Sequence, residues 1–149
     1  MESKTILIAD DSIVFTGIYG ALLRAAGFSV MVANNGSECL RILKGVRPDL
    51  ILLDVEMPDM DGEEVLEFLS QDSKVNDIPV IVLSGIVKAD HSGMRLHGVT
   101  YLSKHVEAES VISCINEALA KKTGAPAAGQ LPDAGHALRF EKLMQMRKP

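Results

Sequence analysis

The sequence of 149 residues contains no long apolar run, which argues against a helical membrane protein. No segment reaches the roughly 18 to 20 consecutive apolar residues that a membrane-spanning helix needs. The first ten residues, MESKTILIAD, also lack the pattern of a secretory signal. We therefore expect a cytoplasmic chain without a membrane partner. Its two cysteines, Cys39 and Cys114, stand far apart and form no metal or redox motif.

Positive charge and glycine-rich phosphate loops are scarce as well. The net charge of −5 argues against nonspecific binding of nucleic acid. No glycine-rich loop of the kind that cradles nucleotide phosphates is present. What the chain does have is 47% apolar residues, which is typical of a globular domain with a sizeable core.

Composition divides the chain into three parts. Residues 1–122 carry 11 basic and 18 acidic residues and are predicted to form one domain. Residues 123–135 contain nine Gly, Ala or Pro among 13 positions, which is typical of a linker. Residues 136–149 form a short basic tail, either disordered or a short amphipathic helix that docks on a partner or on the domain itself. Its apolar residues at helical spacing are Ala137, Phe140, Leu143 and Met144.

Strand-like and helix-like patterns alternate five times within the predicted domain. The strand patterns are Thr5–Ala9, Phe28–Val32, Leu50–Leu53, Val80–Leu83 and Val99–Leu102. The helical patterns cover 12–26, 36–45, 62–71, 89–96 and 106–120. This alternation predicts an α/β fold, a doubly wound five-stranded parallel sheet with helices on both faces. In such sheets the ligand site lies beyond the carboxyl ends of the strands.

Carboxylates follow two of the predicted strands at that edge. Asp10 and Asp11 come directly after the first strand, and Asp54 ends the apolar third strand. Three clustered carboxylates repel one another and raise at least one pKa unless a cation joins them. An all-oxygen site of this kind suits Mg²⁺, for which Mn²⁺ can substitute.

The other strand ends add groups that suit a phosphoryl ligand. Lys104 can place a positive charge on one phosphoryl oxygen, and Ser84 can donate a hydrogen bond to another. Gly85 leaves space open beside them. An aspartate such as Asp54 can attack a phosphoryl group and hold it as an acyl phosphate, so the set predicts phosphoryl transfer.

Four motifs in this order, ILIADDS, LILLDVEMPDMDG, VIVLSG and TYLSKH, resemble the receiver domain of two-component response regulators. The resemblance covers about residues 4–121. It implies the flavodoxin-like strand order 2-1-3-4-5 and a signalling protein, not a metabolic enzyme, that promotes its own phosphorylation and dephosphorylation. The phosphodonor would be a histidine kinase or a phosphotransfer protein.

The resemblance also implies a role for each matching residue. Asp54 would be the phosphoacceptor, and Ser84, Gly85 and Lys104 would contact the phosphoryl group. Ser84 and Tyr101 would form a switch pair that changes the surface of the fourth helix, fifth strand and fifth helix, where downstream targets bind and where homodimers often form. The metal would be held by Asp10, Asp11, Asp54 and the backbone carbonyl of Glu56.

Two features depart from the family pattern or extend it. His105 replaces the proline that usually follows the active-site lysine, so we expect a trans peptide bond there. The first helix is unusually apolar, with Arg24 as its one charge. If Val14, Ile18, Leu22 and Ala25 form its core face, a second stripe becomes either a broader core or a docking patch for the phosphodonor. That stripe consists of Phe15, Tyr19 and Leu23.

Other functions remain open from the sequence. The lost proline favours an interaction module with the receiver fold that works without phosphate. A phosphatase with an aspartate nucleophile needs a second aspartate two residues later as general acid, and Glu56 occupies that position. Because only 14 residues follow the linker, the chain is either a stand-alone regulator or the receiver fragment of a longer output protein.

Overall fold

The computed structural model describes residues 3–85, 95–96 and 99–123, which form one six-stranded sheet flanked by four helices. None of these helices is both long and apolar enough to cross a membrane. The strands are β1 (Thr5–Ala9), β2 (Ser29–Ala33), β3 (Leu50–Asp54), β4 (Val80–Ser84), β5 (Arg95–Leu96) and β6 (Val99–Ser103). The helices are α1 (Ile13–Ala25), α2 (Gly36–Leu43), α3 (Gly62–Gln71) and α4 (Ala108–Thr123).

The strand order is β2-β1-β3-β4-β6-β5. All pairs are parallel except the last, in which β5 runs antiparallel along β6. Because β6 is the fifth strand predicted from the sequence, the five parallel strands and the order 2-1-3-4-5 are confirmed.

The helix predicted over 89–96 is wrong at its end. Residues Arg95 and Leu96 form the edge strand β5, opposite Thr100 and Val99. Pairing with the edge of β6 gives the backbone N–H and C=O groups of these residues hydrogen-bond partners. The helical pattern is weak and interrupted by Gly93, so helix formation does not compete with this pairing. The rest of that predicted helix lies outside the described residues.

Successive side chains of the strands point alternately into two separate apolar layers, one on each face of the sheet. In β1, Ile6 and Ile8 face one layer, whereas Leu7 and Ala9 face the other. The first layer includes residues of α1 and α4, and the second includes residues of α2 and α3. Because both faces are covered, every residue of β3 and β4 is buried, as their continuous apolar sequences predict.

The orientation of α1 about its own axis shows that the predicted core face and docking patch are wrong. Tyr19 and Leu23 are buried in the layer between α1 and the sheet and therefore cannot form a docking patch, and Phe15 packs partly buried against them. The predicted core residues Val14 and Ile18 are instead 71% and 54% exposed. An almost wholly apolar helix offers two stripes of equal spacing, so periodicity could not choose between them. The buried stripe also contains Thr16 and Gly20.

A close approach between α3 and the end of β3 shapes the loop after Asp54. The Gly62 N–H donates to the Val55 carbonyl at 2.9 Å. A Cβ added at Gly62 would lie 2.4 Å from the Asp54 carbonyl oxygen and 2.8 Å from the Val55 Cα. Only glycine fits this contact.

We expect Gly62→Ala to lower the free energy of unfolding by about 1 to 3 kcal/mol, because the added methyl group meets backbone that must shift. Gly17→Ala is the matched control, since Gly17 lies inside α1 with nothing within 4 Å of an added Cβ. That variant should gain up to about 1 kcal/mol from helix propensity. Urea unfolding measures both, and equal stability of the two variants would contradict the close-packing argument.

Candidate functional site

Four strands deliver polar side chains to one edge of the sheet. Asp10 follows β1, Asp54 ends β3, Ser84 ends β4 and Lys104 follows β6. In-register parallel pairing brings these positions to the same carboxyl edge, as expected from the sequence. The site is therefore assembled by the order of strands and not by any one loop.

The three predicted carboxylates meet at this edge. One carboxylate oxygen each from Asp10, Asp11 and Asp54 lies within 4.8 Å of the others. Asp10 and Asp54 are 1% and 4% exposed, whereas Asp11 is exposed to solvent. The cluster is thus buried at its base and open on the side of Asp11.

Lys104 neutralises part of this charge. Its Nζ lies 2.8 Å from Asp10 Oδ2 and 3.3 Å from Asp54 Oδ2. The ammonium group also lies 4.6 Å from the centre of the Phe15 ring, a cation–π contact. No peptide bond of the described chain is cis, so the bond between Lys104 and His105 is trans as expected, and the lysine still reaches both carboxylates.

Local hydrogen bonds orient the two buried carboxylates. The Ser12 N–H donates to Asp10 Oδ1 at 2.9 Å, while the Ser12 hydroxyl caps α1 by accepting from the Phe15 N–H at 3.1 Å. The Glu56 N–H donates to Asp54 Oδ1 at 3.3 Å. The start of α1 and the loop after β3 therefore hold the carboxylates in place.

Burial and like charge change the acidity of the cluster. Burial, followed by the charge of Asp10, raises the pKa of Asp54 to about 6, although Lys104 and the Glu56 N–H act in the opposite direction. Burial lowers the pKa of Lys104, but its contact with Asp10 and the charges of Asp54 and Asp10 outweigh that effect and raise it. The lysine is therefore cationic at neutral pH.

One oxygen of the cluster is incompletely satisfied. Asp10 Oδ2 is buried and, apart from its ionic contact with Lys104, has no hydrogen-bond partner among the residues described. The Lys104 ammonium at 2.8 Å satisfies one lone pair of this oxygen, and the other lone pair is available to a further cation or donor. The all-oxygen donor set and this oxygen fit a hard divalent cation.

The remaining predicted site residues lie at or near the same edge. Ser84 is fully buried at the end of β4, and its carbonyl accepts from the Lys104 N–H at 3.0 Å. Gly85 is exposed, and an added Cβ would meet nothing within 4 Å. The Tyr101 ring is buried in the layer beneath α2 and α3, and burial together with the charge of Glu63 raises its pKa.

Two contributors to the site were missed from the sequence. Ser12 was not assigned a role, although a serine just before an apolar helical segment is a recognised N-cap signal. The sequence places Phe15 in a stripe that is either core or a docking patch, and does not predict that its ring contacts Lys104 and stacks on Tyr19 at a centroid distance of 4.4 Å. No sequence signal identifies a ring beneath the lysine, because the contact joins α1 to the end of β6.

A family model described as the response regulator receiver domain matches residues 6–116. The chain belongs to the response regulator receiver family. Receiver domains act in signal transduction, as the four motifs implied. A similar relative is the polar-differentiation response regulator DivK of Brucella anthropi, 31% identical over 118 residues that span 78% of this chain and 96% of the relative.

Solved receiver structures share the fold. The receiver domain of the Francisella response regulator 1452 superimposes with a TM-score of 0.72 at 25% identity, covering 80% of this chain and 99% of that one. The Vibrio cholerae chemotaxis response regulator CheY4 gives a TM-score of 0.70 at 27% identity, covering 78% and 99%. The similarity thus spans nearly all of each solved receiver domain.

The raised pKa of Asp54 predicts a pH-dependent cost to stability. An unfolded aspartate ionises near its ordinary value of 3.8, and the folded one near 6. The folded state therefore holds the proton more tightly, and the free energy of unfolding falls as pH rises through this window. Asp54→Asn removes the cost, so the variant should be more stable at pH 7.5 by up to about 3 kcal/mol and lose this advantage near pH 3.5.

Urea unfolding in EDTA measures this difference without divalent cations. Asp77→Asn is the control, because Asp77 lies in an exposed ion pair with Arg47, whose contribution is typically below about 1 kcal/mol. An Asp54→Asn variant no more stable than wild type at pH 7.5 would contradict the cost of keeping Asp54 charged in this buried position.

Proposed function

We propose that Asp54 accepts a phosphoryl group from a phosphohistidine donor and that this modification controls the signalling state. The supporting observation is the position of Asp54, held rigidly at the end of β3 with a lysine ammonium 3.3 Å from one carboxylate oxygen. An Asp54 oxygen forms the new bond to phosphorus while the bond from phosphorus to the donor imidazole nitrogen breaks, and its electron pair stays on that nitrogen. The product is an acyl phosphate.

The acidic cluster would hold Mg²⁺, with Mn²⁺ as a substitute. Asp10, Asp11 and Asp54 supply carboxylate oxygens, and the backbone carbonyl of Glu56 is a further proposed ligand. A bound divalent cation would neutralise charge that gathers on the phosphoryl oxygens. The incompletely satisfied Asp10 Oδ2 supports this assignment.

Ser84, Gly85 and Lys104 are the proposed contacts of the phosphoryl group. Lys104 lies close enough to exchange an ionic contact with Asp54 for one with a phosphoryl oxygen, and Gly85 leaves room beside Ser84. Ser84 and Tyr101 would act as the switch pair, since both are buried on the neighbouring strands β4 and β6. Their movement would change the surface around β6 and α4, where we place the downstream target or a homodimer contact.

The outer side of α1 is the surface that we assign to the phosphodonor. Ile13, Val14, Ile18 and Leu22 are between 37% and 82% exposed on this helix, which begins directly after the acidic cluster. We call these four residues the α1 outer face. An exposed apolar patch beside a reaction centre is typical of a protein-binding surface, and the donor would be a histidine kinase or phosphotransfer protein.

We expect the wild-type chain to gain the mass of one phosphoryl group when incubated with acetyl phosphate and Mg²⁺. Asp54→Asn should gain none, because the amide cannot act as the nucleophile, and EDTA should abolish the gain in the wild type. Intact-mass spectrometry measures each. Asp49→Asn is a matched control, because Asp49 precedes β3 and accepts from the Thr5 N–H at the opposite edge of the sheet.

The same experiment addresses the alternative of an interaction module that works without phosphate. If the wild type gains no mass, titration with beryllofluoride followed by amide NMR shows whether a phosphoryl mimic binds at all. Absence of both responses would contradict the proposed function and favour the interaction module.

We expect Ile18→Asp to slow phosphoryl transfer from a phosphorylated histidine protein by about tenfold or more, because a charge in the centre of the α1 outer face disrupts apolar contact. Labelling by acetyl phosphate should not change, since that small donor needs no docking surface. Phe68→Asp is the control, because Phe68 is 53% exposed on α3, on the other side of the sheet. Equal slowing by both variants would contradict the assignment.

A further inference from the structure

The α1 outer face is the largest concentration of exposed apolar side chains on the part of the chain described. Six large hydrophobic residues are exposed among all the residues described, and four of these six belong to the α1 outer face. Val14, Ile18 and Leu22 follow one another at intervals of four, so they form a continuous stripe along the helix. Such a stripe is suited to a second amphipathic helix.

The chain beyond α4 can reach this stripe. Helices α1 and α4 pack on the same side of the sheet, and each begins near the carboxyl edge of the strands and runs back from it. The last described residue, Thr123, therefore lies at the edge towards which α1 also runs. The 12 residues from 124 to 135 span up to about 40 Å when extended, whereas α1 with its 13 residues is about 20 Å long.

The sequence of residues 136–149 complements the α1 outer face. Of its apolar residues, Phe140, Leu143 and Met144 fall on one side of a helix, whereas Leu138 and Met146 do not, and its four basic residues outnumber a single acidic one. Two acidic residues and one basic residue border α1: Asp11 is exposed just before the helix, Glu109 on α4 is close enough to raise the pKa of Tyr19, and Arg24 is exposed within the helix. The acidic residues outnumber the basic one, so an apolar stripe with a net acidic border meets an apolar stripe with basic neighbours.

We propose that residues 136–149 bind as a short amphipathic helix to the α1 outer face of the same chain and cover it. An isolated helix of this length is marginal in water, but a tether of 12 residues supplies an effective concentration in the millimolar range. The contact is therefore weak, intramolecular and displaceable. The effect of this contact on phosphoryl transfer rests on the function proposed above, because the tail then competes with the protein donor for the α1 outer face.

Amide NMR of the full chain tests the contact without any phosphorylation. Leu143→Asp introduces a charge on the apolar stripe of the tail, and Gln145→Asp introduces the same charge two residues away on its polar side. We expect Leu143→Asp to shift the amide signals of Val14 and Ile18, and Gln145→Asp to leave them in place. Ile18→Asp should in turn shift the signals of residues 136–149.

Two results would overturn the proposal. Unchanged α1 signals in Leu143→Asp would show that the tail does not contact this face. A wild-type signal pattern that changes to that of Leu143→Asp on tenfold dilution would assign the face to the tail of a second copy. Signals independent of concentration, together with the reciprocal shifts, support intramolecular binding.

The kinetic consequence separates this proposal from the proposed function. If the tail covers the face in about 70 to 90% of molecules, Leu143→Asp should speed transfer from a protein donor at subsaturating concentration by about 3- to 10-fold. Labelling by acetyl phosphate should stay the same. If Leu143→Asp shifts the α1 signals but the wild type cannot be phosphorylated, the contact stands and the phosphoacceptor role is overturned. If the wild type is phosphorylated but Leu143→Asp does not change the rate of transfer from the protein donor, the competition is overturned.

Discussion

The burial of Asp54 beside the charge of Asp10, offset only in part by Lys104, is the constraint on which this molecule depends. Two of the carboxylates are almost fully buried, and the raised pKa of Asp54 reflects the cost of keeping charge there. Such a cluster survives only if rigid elements hold it, because flexible loops would let the carboxylates move apart into water. The parallel sheet supplies that rigidity through strands covered on both faces.

The elements around the cluster orient it through contacts that leave little freedom. Ser12 begins α1 and orients Asp10 through its backbone, while Gly62 brings α3 against the backbone of Asp54. The apolar layers stabilise the fold, and these few polar and close contacts place the carboxylate oxygens of the cluster. The burial of apolar side chains in the two layers thus offsets the free-energy cost of clustering carboxylates at the edge of the sheet.

Helix α1 serves the site on two sides. Its inner side places Phe15 beneath the Lys104 ammonium and stacks it on Tyr19, so the core and Lys104 are in direct contact. Its outer side leaves Val14 and Ile18 exposed next to the acidic cluster. A surface this apolar favours a protein contact and carries a risk of nonspecific association, which a tethered segment of the same chain would reduce.

The sequence by itself determined the five parallel strands and the polar residues at their ends, because continuous apolar runs that stop at Asp10, Asp54 and Ser84 are local signals. The sequence could not decide the rotation of α1, since an almost wholly apolar helix has two stripes of equal spacing and only packing against the sheet selects one. It also missed strand β5 and the ring of Phe15 beneath Lys104. Both depend on residues from separate elements meeting in space, and only the tertiary structure decides such meetings.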